Sequence, residues 1–167
     1  VLRIKKEQRF FLKTIMKKPQ LHIVFKKNTK IPKFLNAIIT TKNSISILNH
    51  NKIEDIEGYN DGTWWVQDYS SMLPIHMLDN VKFKKVADLC SAPGGKSFQL
   101  IDKGAKLTSY EKSLDRCNLM KKNLKRLNLN TNLVNIDALN ISYKNRYDII
   151  IIDAPCSSIG TLRRNPE

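Results

Sequence analysis

Asp153, Pro155 and Cys156 follow the apolar run Ile149-Ile150-Ile151-Ile152. A free thiol one residue past proline and beside a carboxylate is a candidate nucleophile or acid/base participant. Most free cysteines are buried for packing; one placed at the end of a strand, not within it, points to function. A second stretch, residues 86–100, reads V-A-D-L-C-S-A-P-G-G-K-S-F-Q-L. Its apolar start (Val86, Ala87, Leu89, Cys90) breaks at Ala92-Pro93-Gly94-Gly95 and resumes with helix-compatible residues. That pattern predicts a buried parallel strand, a tight glycine turn and a helix N-terminus. Such units hold ligands outside the carboxyl end of the strand.

Two ligands compete for the glycine turn. Gly95-Lys96-Ser97 matches the end of a phosphate-binding P-loop, but that pattern needs glycine at position 90, where Cys90 stands. It also puts Pro93, which has no amide hydrogen, where a donor should face phosphate. Glu111, at the end of the next strand, suits a ribose diol. A nucleoside cofactor without a polyphosphate fits better, and S-adenosylmethionine is preferred over a nucleoside triphosphate.

The elements that must position these groups alternate regularly. Strands are expected over 86–90, 106–111, 131–137 and 147–153, the last apolar enough to be central and buried on both faces. Helices are expected over 70–78, around 98–102 and over 113–127, where Cys117, Met120, Leu124 and Leu127 recur at helical spacing. Lys121, Lys122, Lys125 and Arg126 then form a solvated face. Strands alternating with helices imply an α/β, doubly wound parallel sheet. Before it, residues 1–57 read as a small basic α+β module: an amphipathic helix over 1–18, strands over 21–25 and 44–48, and a short helix over 33–39. The turn residues of 58–68 mark the boundary to a second domain, 58–167, and Trp64 and Trp65 read as packing groups.

Of 167 residues, 29 are Lys or Arg against 15 Asp or Glu, a net charge of +14. That excess points to a polyanionic partner, a nucleic acid, through counterion release; a bias toward Lys, Asn and Ile is the competing explanation. Three cysteines without a C-x-x-C pair indicate neither a disulfide framework nor a zinc site, and no metal is expected. His22, His50 and His76 are isolated. No eighteen-residue apolar span or signal-peptide pattern is present, so a cytoplasmic protein with no membrane partner is expected. A first residue of Val1 hints at a missing start.

D-L-C-S-A-P-G-G-K together with D-A-P-C-S-S-I-G-T-L-R-R-N-P-E resembles the RNA cytosine-5 methyltransferase family, on its bacterial small-subunit ribosomal RNA branch (the Sun/Fmu type). G-T-W-W-V-Q-D-Y-S-S and N-L-K-R-L-N-L extend the similarity over most of residues 58–167, and the earlier module resembles the family's RNA-binding module more loosely. The resemblance implies a Rossmann-like, S-adenosylmethionine-dependent methyltransferase sheet, here truncated after its fourth strand, acting on RNA, ribosomal RNA above all. Cys90, Ser91, Ala92, Pro93, Gly94, Gly95 and Lys96 would wrap the methionine end of the cofactor. Glu111 would hold the ribose hydroxyls, where the family commonly has Asp, and Asp137 would lie by the adenine. Asp153 would reach both cofactor and target base. Ser91 and Ser157-Ser158-Ile159 vary from the commonest wording without removing a functional group.

The family uses two cysteines, one after proline in this motif and a nucleophile in a later Thr-Cys motif. Cys156 maps to the first, which assists product release; in DNA cytosine-5 methyltransferases a Pro-Cys cysteine is itself the nucleophile, so both roles stay open. As a fragment, the chain is expected to be inactive alone. The alternatives are a noncatalytic RNA-binding protein that keeps the methyltransferase fold and, third, a P-loop ATPase.

Overall fold

The segment Leu21-His-Ile-Val-Phe alternates so that Leu21, Ile23 and Phe25 face one way and Val24 the other, and all four are buried. In this computed structural model, which describes residues 10, 19–33, 37–48, 52–141 and 147–154, that segment is strand β1 (Leu21–Phe25) of a four-stranded antiparallel sheet. Its partners are β2 (Ala37–Thr41), β3 (Ser44–Ile47) and β4 (Trp64–Val66), in the order β2-β3-β1-β4. The basic helix expected over 1–18 lies, Phe10 apart, outside the described residues.

Two differences from expectation occur here. The segment read as a short helix over 33–39 contributes a strand instead. Ile38, Ile39, Thr40 and Thr41 are β-branched and favour a pleated surface, and the Lys42-Asn43 turn folds them onto β3. Ser44, expected on a half-buried strand, is buried with all of β3, because this sheet is covered on both faces. Ile45, Ile47 and Trp64 join the Leu21–Ile23–Phe25 cluster on one face; Val24 and Trp65 join Met72, Phe98, Met120, Leu124 and Leu127 on the other. Burying each such side chain is worth about 1.5–3 kcal/mol. Trp64 and Trp65, placed by sequence after the boundary near residue 57, pair their strand with β1: Val24 opposes Trp65 and Phe25 opposes Trp64.

The second sheet is parallel, in the order β7-β6-β5-β8: β5 (Lys85–Leu89), β6 (Lys106–Glu111), β7 (Asn132–Asn135) and β8 (Ile149–Ile152). Helix α1 (Tyr69–His76) precedes β5, α2 (Gly95–Asp102) joins β5 to β6, and α3 (Leu114–Leu127) joins β6 to β7. Strands β5, β6 and β7 succeed one another outward, then β8 returns to the opposite side of β5. The order therefore reverses between β5 and β8, and the crevice beyond the carboxyl ends at such a reversal is where open α/β sheets bind ligands.

Strand β8, expected to be central, is an edge among the described residues. Ile150 and Ile152 are 56% and 69% exposed, and its ladder runs only to β5. Strand β7 is shorter than the 131–137 expected, because Asp137 leaves the ladder to cap a 3-10 turn over Ala138–Asn140, accepting from Leu139 N at 3.0 Å. No described helix is long and apolar enough to cross a membrane.

Helix α3 buries Cys117, Met120, Leu124 and Leu127 as the spacing requires. Its Arg126 is not solvated. The guanidinium donates to the carbonyls of Tyr59 (2.8 Å) and Trp64 (3.1 Å) and lies 4.2 Å from the Tyr59 ring centroid. Lys26 Nζ donates to Leu127 O at 2.9 Å, so the end of α3 is clamped to the first sheet from both sides. Gly62, at φ 62°, runs against the Arg126 carbonyl, where a Cβ would have no room. Removing charged hydrogen bonds and a cation–π contact together should cost about 2–3 kcal/mol. Arg126→Ala is therefore expected to lower the unfolding free energy read from urea titration by that much, and Arg126→Lys to recover under half, lacking the planar fork. A change within about 0.5 kcal/mol, typical of a solvated residue, would show that the clamp contributes nothing.

Candidate functional site

The loop after β5 begins with Cys90 at φ 62°, passes a cis Ala92-Pro93 bond, and enters α2 through Gly94 at φ 115°. Few side chains tolerate that last conformation, and at Gly94 a Cβ would also fall inside the Phe98 ring. Ala92 and Ser91 are buried beneath the loop.

Glu111, at the carboxyl end of β6 and 4% exposed, ties this loop to its neighbours. Its Oε2 accepts from Ala92 N at 3.2 Å and its Oε1 from Ser113 N at 2.9 Å. Its carbonyl accepts from Asn135 Nδ2 at 2.8 Å and from Ile136 N at 3.1 Å. Arg116, on the first turn of α3, donates to Ala92 O and places Nη1 3.8 Å from Glu111 Oε2. Buried polar groups left without such partners would cost heavily, which is why the carboxylate gathers them.

Asp153 and Asp137 close the two sides. Lys96 Nζ, from the first turn of α2, donates to Asp153 Oδ2 at 2.6 Å just past β8. That contact joins the two motifs singled out by sequence across the reversal in strand order. Lys112 Nζ lies 2.8 Å from Asp137 Oδ2; that hydrogen bond and the one from Leu139 N hold the Asp137 carboxyl below its usual range. The structure thus brings together residues 90–96, Glu111 and Asp153, with Asp137 one residue removed through Lys112. Cys156 lies outside the described residues.

Three local facts narrow the chemistry. Ser97, which a P-loop would turn toward a metal-bound phosphate, is fully buried and donates to Asp88 Oδ2 at 2.6 Å. Burial, then the nearby Glu111 charge, pushes the Cys90 thiol up, away from the thiolate that nucleophilic attack needs. Cys117 is pushed up mainly by burial as well. Among the described residues no cluster of three His, Cys, Asp or Glu could hold a metal.

Asp88, Arg116 and Asn135 were not singled out from sequence. Asp88 carried a signal, since an ionisable residue inside an apolar strand is unusual. Arg116 and Asn135 carried none, being ordinary polar residues on a helix and an edge strand.

Residues 75–167 match the family described as 16S rRNA methyltransferase RsmB/F. Over 131 residues the chain is 30% identical to ribosomal RNA small subunit methyltransferase B of Serratia proteamaculans, covering 75% of this chain and 30% of that relative. A methyltransferase homolog protein from Pyrococcus horikoshii is 27% identical at a TM-score of 0.72, over 90% of this chain and 55% of that one. NSun6 from Pyrococcus horikoshii, solved with SFG, is 26% identical at a TM-score of 0.57, over 70% of this chain and 33% of that one. The chain therefore spans about a third of the length of the curated relatives it matches.

The Asp88 carboxyl is 1% exposed, with Oδ2 bound by Ser97 and Oδ1 without a protein partner. Burial raises its pKa from 3.8 to about 6, opposed by the Ser97 bond and Lys96 and assisted by Asp153 and Glu111. Between those two values the folded state binds more protons than the unfolded one, so this group's contribution to stability falls as pH rises through that window. The slope for one proton is at most about 1.4 kcal/mol per pH unit. The stability of wild type relative to Asp88→Asn should thus be greatest near pH 4 and least at pH 7, read by denaturant titration across the range. A difference independent of pH would refute the assignment.

Proposed function

This chain belongs to the 16S rRNA methyltransferase RsmB/F family, and we propose that it carries the cofactor site of an enzyme that methylates carbon 5 of a cytosine in ribosomal RNA. The observation that carries the reading is the Lys96–Asp153 contact across the strand-order reversal, which sets Asp153 beside the glycine loop. The cofactor is S-adenosylmethionine, whose sulfonium supplies the methyl group; the family neighbour solved with SFG, an S-adenosylmethionine analogue, supports this.

The residues present fit such a group. Glu111 uses one lone pair on each oxygen for Ala92 and Ser113, which leaves acceptor capacity for two ribose hydroxyls. Asp137, kept ionised by Lys112, is an acceptor for an adenine amino group. Residues 90–96 supply the closely approaching backbone for the methionine end.

Carbon 5 of cytosine is too weak a nucleophile to take a methyl group unaided. A cysteine thiolate would add to carbon 6, and the electron pair displaced from the 5,6 double bond would form the new bond from carbon 5 to the methyl carbon as the methyl–sulfur bond breaks, its pair staying on sulfur to leave S-adenosylhomocysteine. A group that protonates or hydrogen-bonds N3 stabilises that adduct, and Asp153 is assigned that role. A base then removes the carbon 5 proton, the double bond re-forms and the thiolate leaves. Addition is assigned to the cysteine of the family's Thr-Cys motif, and product release to Cys156. The +14 charge suits a ribosomal RNA partner.

Titration calorimetry should show S-adenosylmethionine binding, with Glu111→Ala weakening it by about 1.5–3 kcal/mol, the worth of hydrogen bonds to a charged group. Tight magnesium–ATP binding without a response to S-adenosylmethionine would reverse the cofactor reading. Ribosomal RNA carrying tritium at cytosine carbon 5 should release it to water on methylation by the full-length enzyme, and methyl transfer without release would place the reaction at another atom.

Cys156 has its own readout. In the full-length protein Cys156→Ala should accumulate a covalent protein–RNA adduct on a denaturing gel. Disappearance of every adduct would make Cys156 the nucleophile instead.

A further inference from the structure

We propose that Gln67 and Trp65, both from the end of the first sheet, are positioning residues for the glycine loop, so that this sheet sets the protein's affinity for S-adenosylmethionine. The inference rests on the reading of residues 90–96 as the cofactor loop.

Both glycines of the loop lean on side chains governed by this end of the sheet. At Gly95 a Cβ would stand 3.1 Å from Gln67 Cδ and 3.2 Å from its Cγ, a tighter approach than most side chains make, so the backbone lies close against the Gln67 side chain. Gly94 lies against the Phe98 ring, 2% exposed, which meets Trp65 edge-on at a centroid distance of 5.9 Å and an interplanar angle of 79°. The loop is thus seated on one side chain of the first sheet directly and on a second through Phe98.

Those supports are themselves held. Gln67 is 6% exposed; its Oε1 accepts from Trp65 Nε1 at 2.9 Å, and its Nε2 donates to Gln99 Oε1 at 2.7 Å and to Ser71 O at 3.3 Å. Gln99 Nε2 continues to Met72 O at 3.3 Å. The Gln67 backbone amide donates to His22 O, on β1. A buried amide with its donors and acceptor engaged has one orientation, because any other strands a polar group. A buried hydrophobic residue would fill the same space without specifying that orientation, so two linked glutamines beneath a loop of glycines point to placement of the loop.

The experiment measures S-adenosylmethionine affinity and thermal melting in parallel on the full-length protein. Gly95→Ala should weaken binding about tenfold, the scale of one lost hydrogen bond or a displacement of similar cost. Gln67→Ala removes the atoms the new methyl would meet, so the double variant should bind more tightly than the product of the two single fold-changes allows. Trp65→Phe keeps the edge contact with Phe98 but removes the Nε1 donor, and should weaken binding several-fold while melting as one cooperative transition. It serves where Gln67→Ala fails to fold. Multiplicative fold-changes in the double variant, or unchanged affinity in a Trp65→Phe protein with a lowered melting temperature, would overturn the proposal and leave these residues as packing alone. A wild-type protein that binds no S-adenosylmethionine would instead overturn the cofactor reading on which the proposal stands.

Discussion

A buried carboxylate with nowhere to go but its neighbours organises the second half of this molecule. Glu111 sits at the carboxyl end of β6 with almost no contact with solvent, and its desolvation must be offset locally. The carboxylate takes the amides of Ala92, in the glycine loop, and Ser113, at the start of α3, with the Arg116 guanidinium 3.8 Å away, while the Glu111 backbone carbonyl separately takes Asn135 and Ile136 at the end of β7. Losing the carboxylate would release the loop and a helix N-terminus together. Position and chemistry therefore coincide: the group that holds the crevice in shape is also the one best suited to a ribose diol.

The strand order explains why Lys96 meets Asp153. They lie 57 positions apart in sequence, but each follows one of two adjacent parallel strands that run in register from Val86 opposite Ile149 to Leu89 opposite Ile152. Lys96 and Asp153 complete the approach with an ion pair at 2.6 Å. Neither sheet works alone. The first supplies Trp65 and Gln67 under the loop, and it is held to α3 by Arg126 and Lys26.

The second sheet was legible because β8 and most of β5 are apolar and strands alternate with helices, and α3 because Cys117, Met120, Leu124 and Leu127 keep strict helical spacing. The glycine loop and Asp153 were legible because glycine and proline punctuation has few other uses. Residues 33–39 read as a short helix because so few residues carry too little periodicity, and the strand character of Ala37–Thr41 comes from pairing with β3. Arg126 read as a solvated residue because nothing local marks the Tyr59 and Trp64 carbonyls it reaches, more than sixty positions away. Gln67 was similarly opaque: its partner Gln99 lies 32 positions on. Four consecutive isoleucines describe a strand buried on both faces, and the edge position of β8 was expected only from a sheet truncated after its fourth strand.

The most direct measurement is a crystal structure of the full-length protein grown with S-adenosylhomocysteine. The ribose hydroxyls should lie within hydrogen-bonding distance of the Glu111 carboxylate, with the homocysteine end against residues 90–96 and Asp153 within reach of it. A ligand bound elsewhere, with Glu111 still enclosed by Ala92, Ser113 and Arg116 alone, would contradict the assignment of this crevice as the cofactor site.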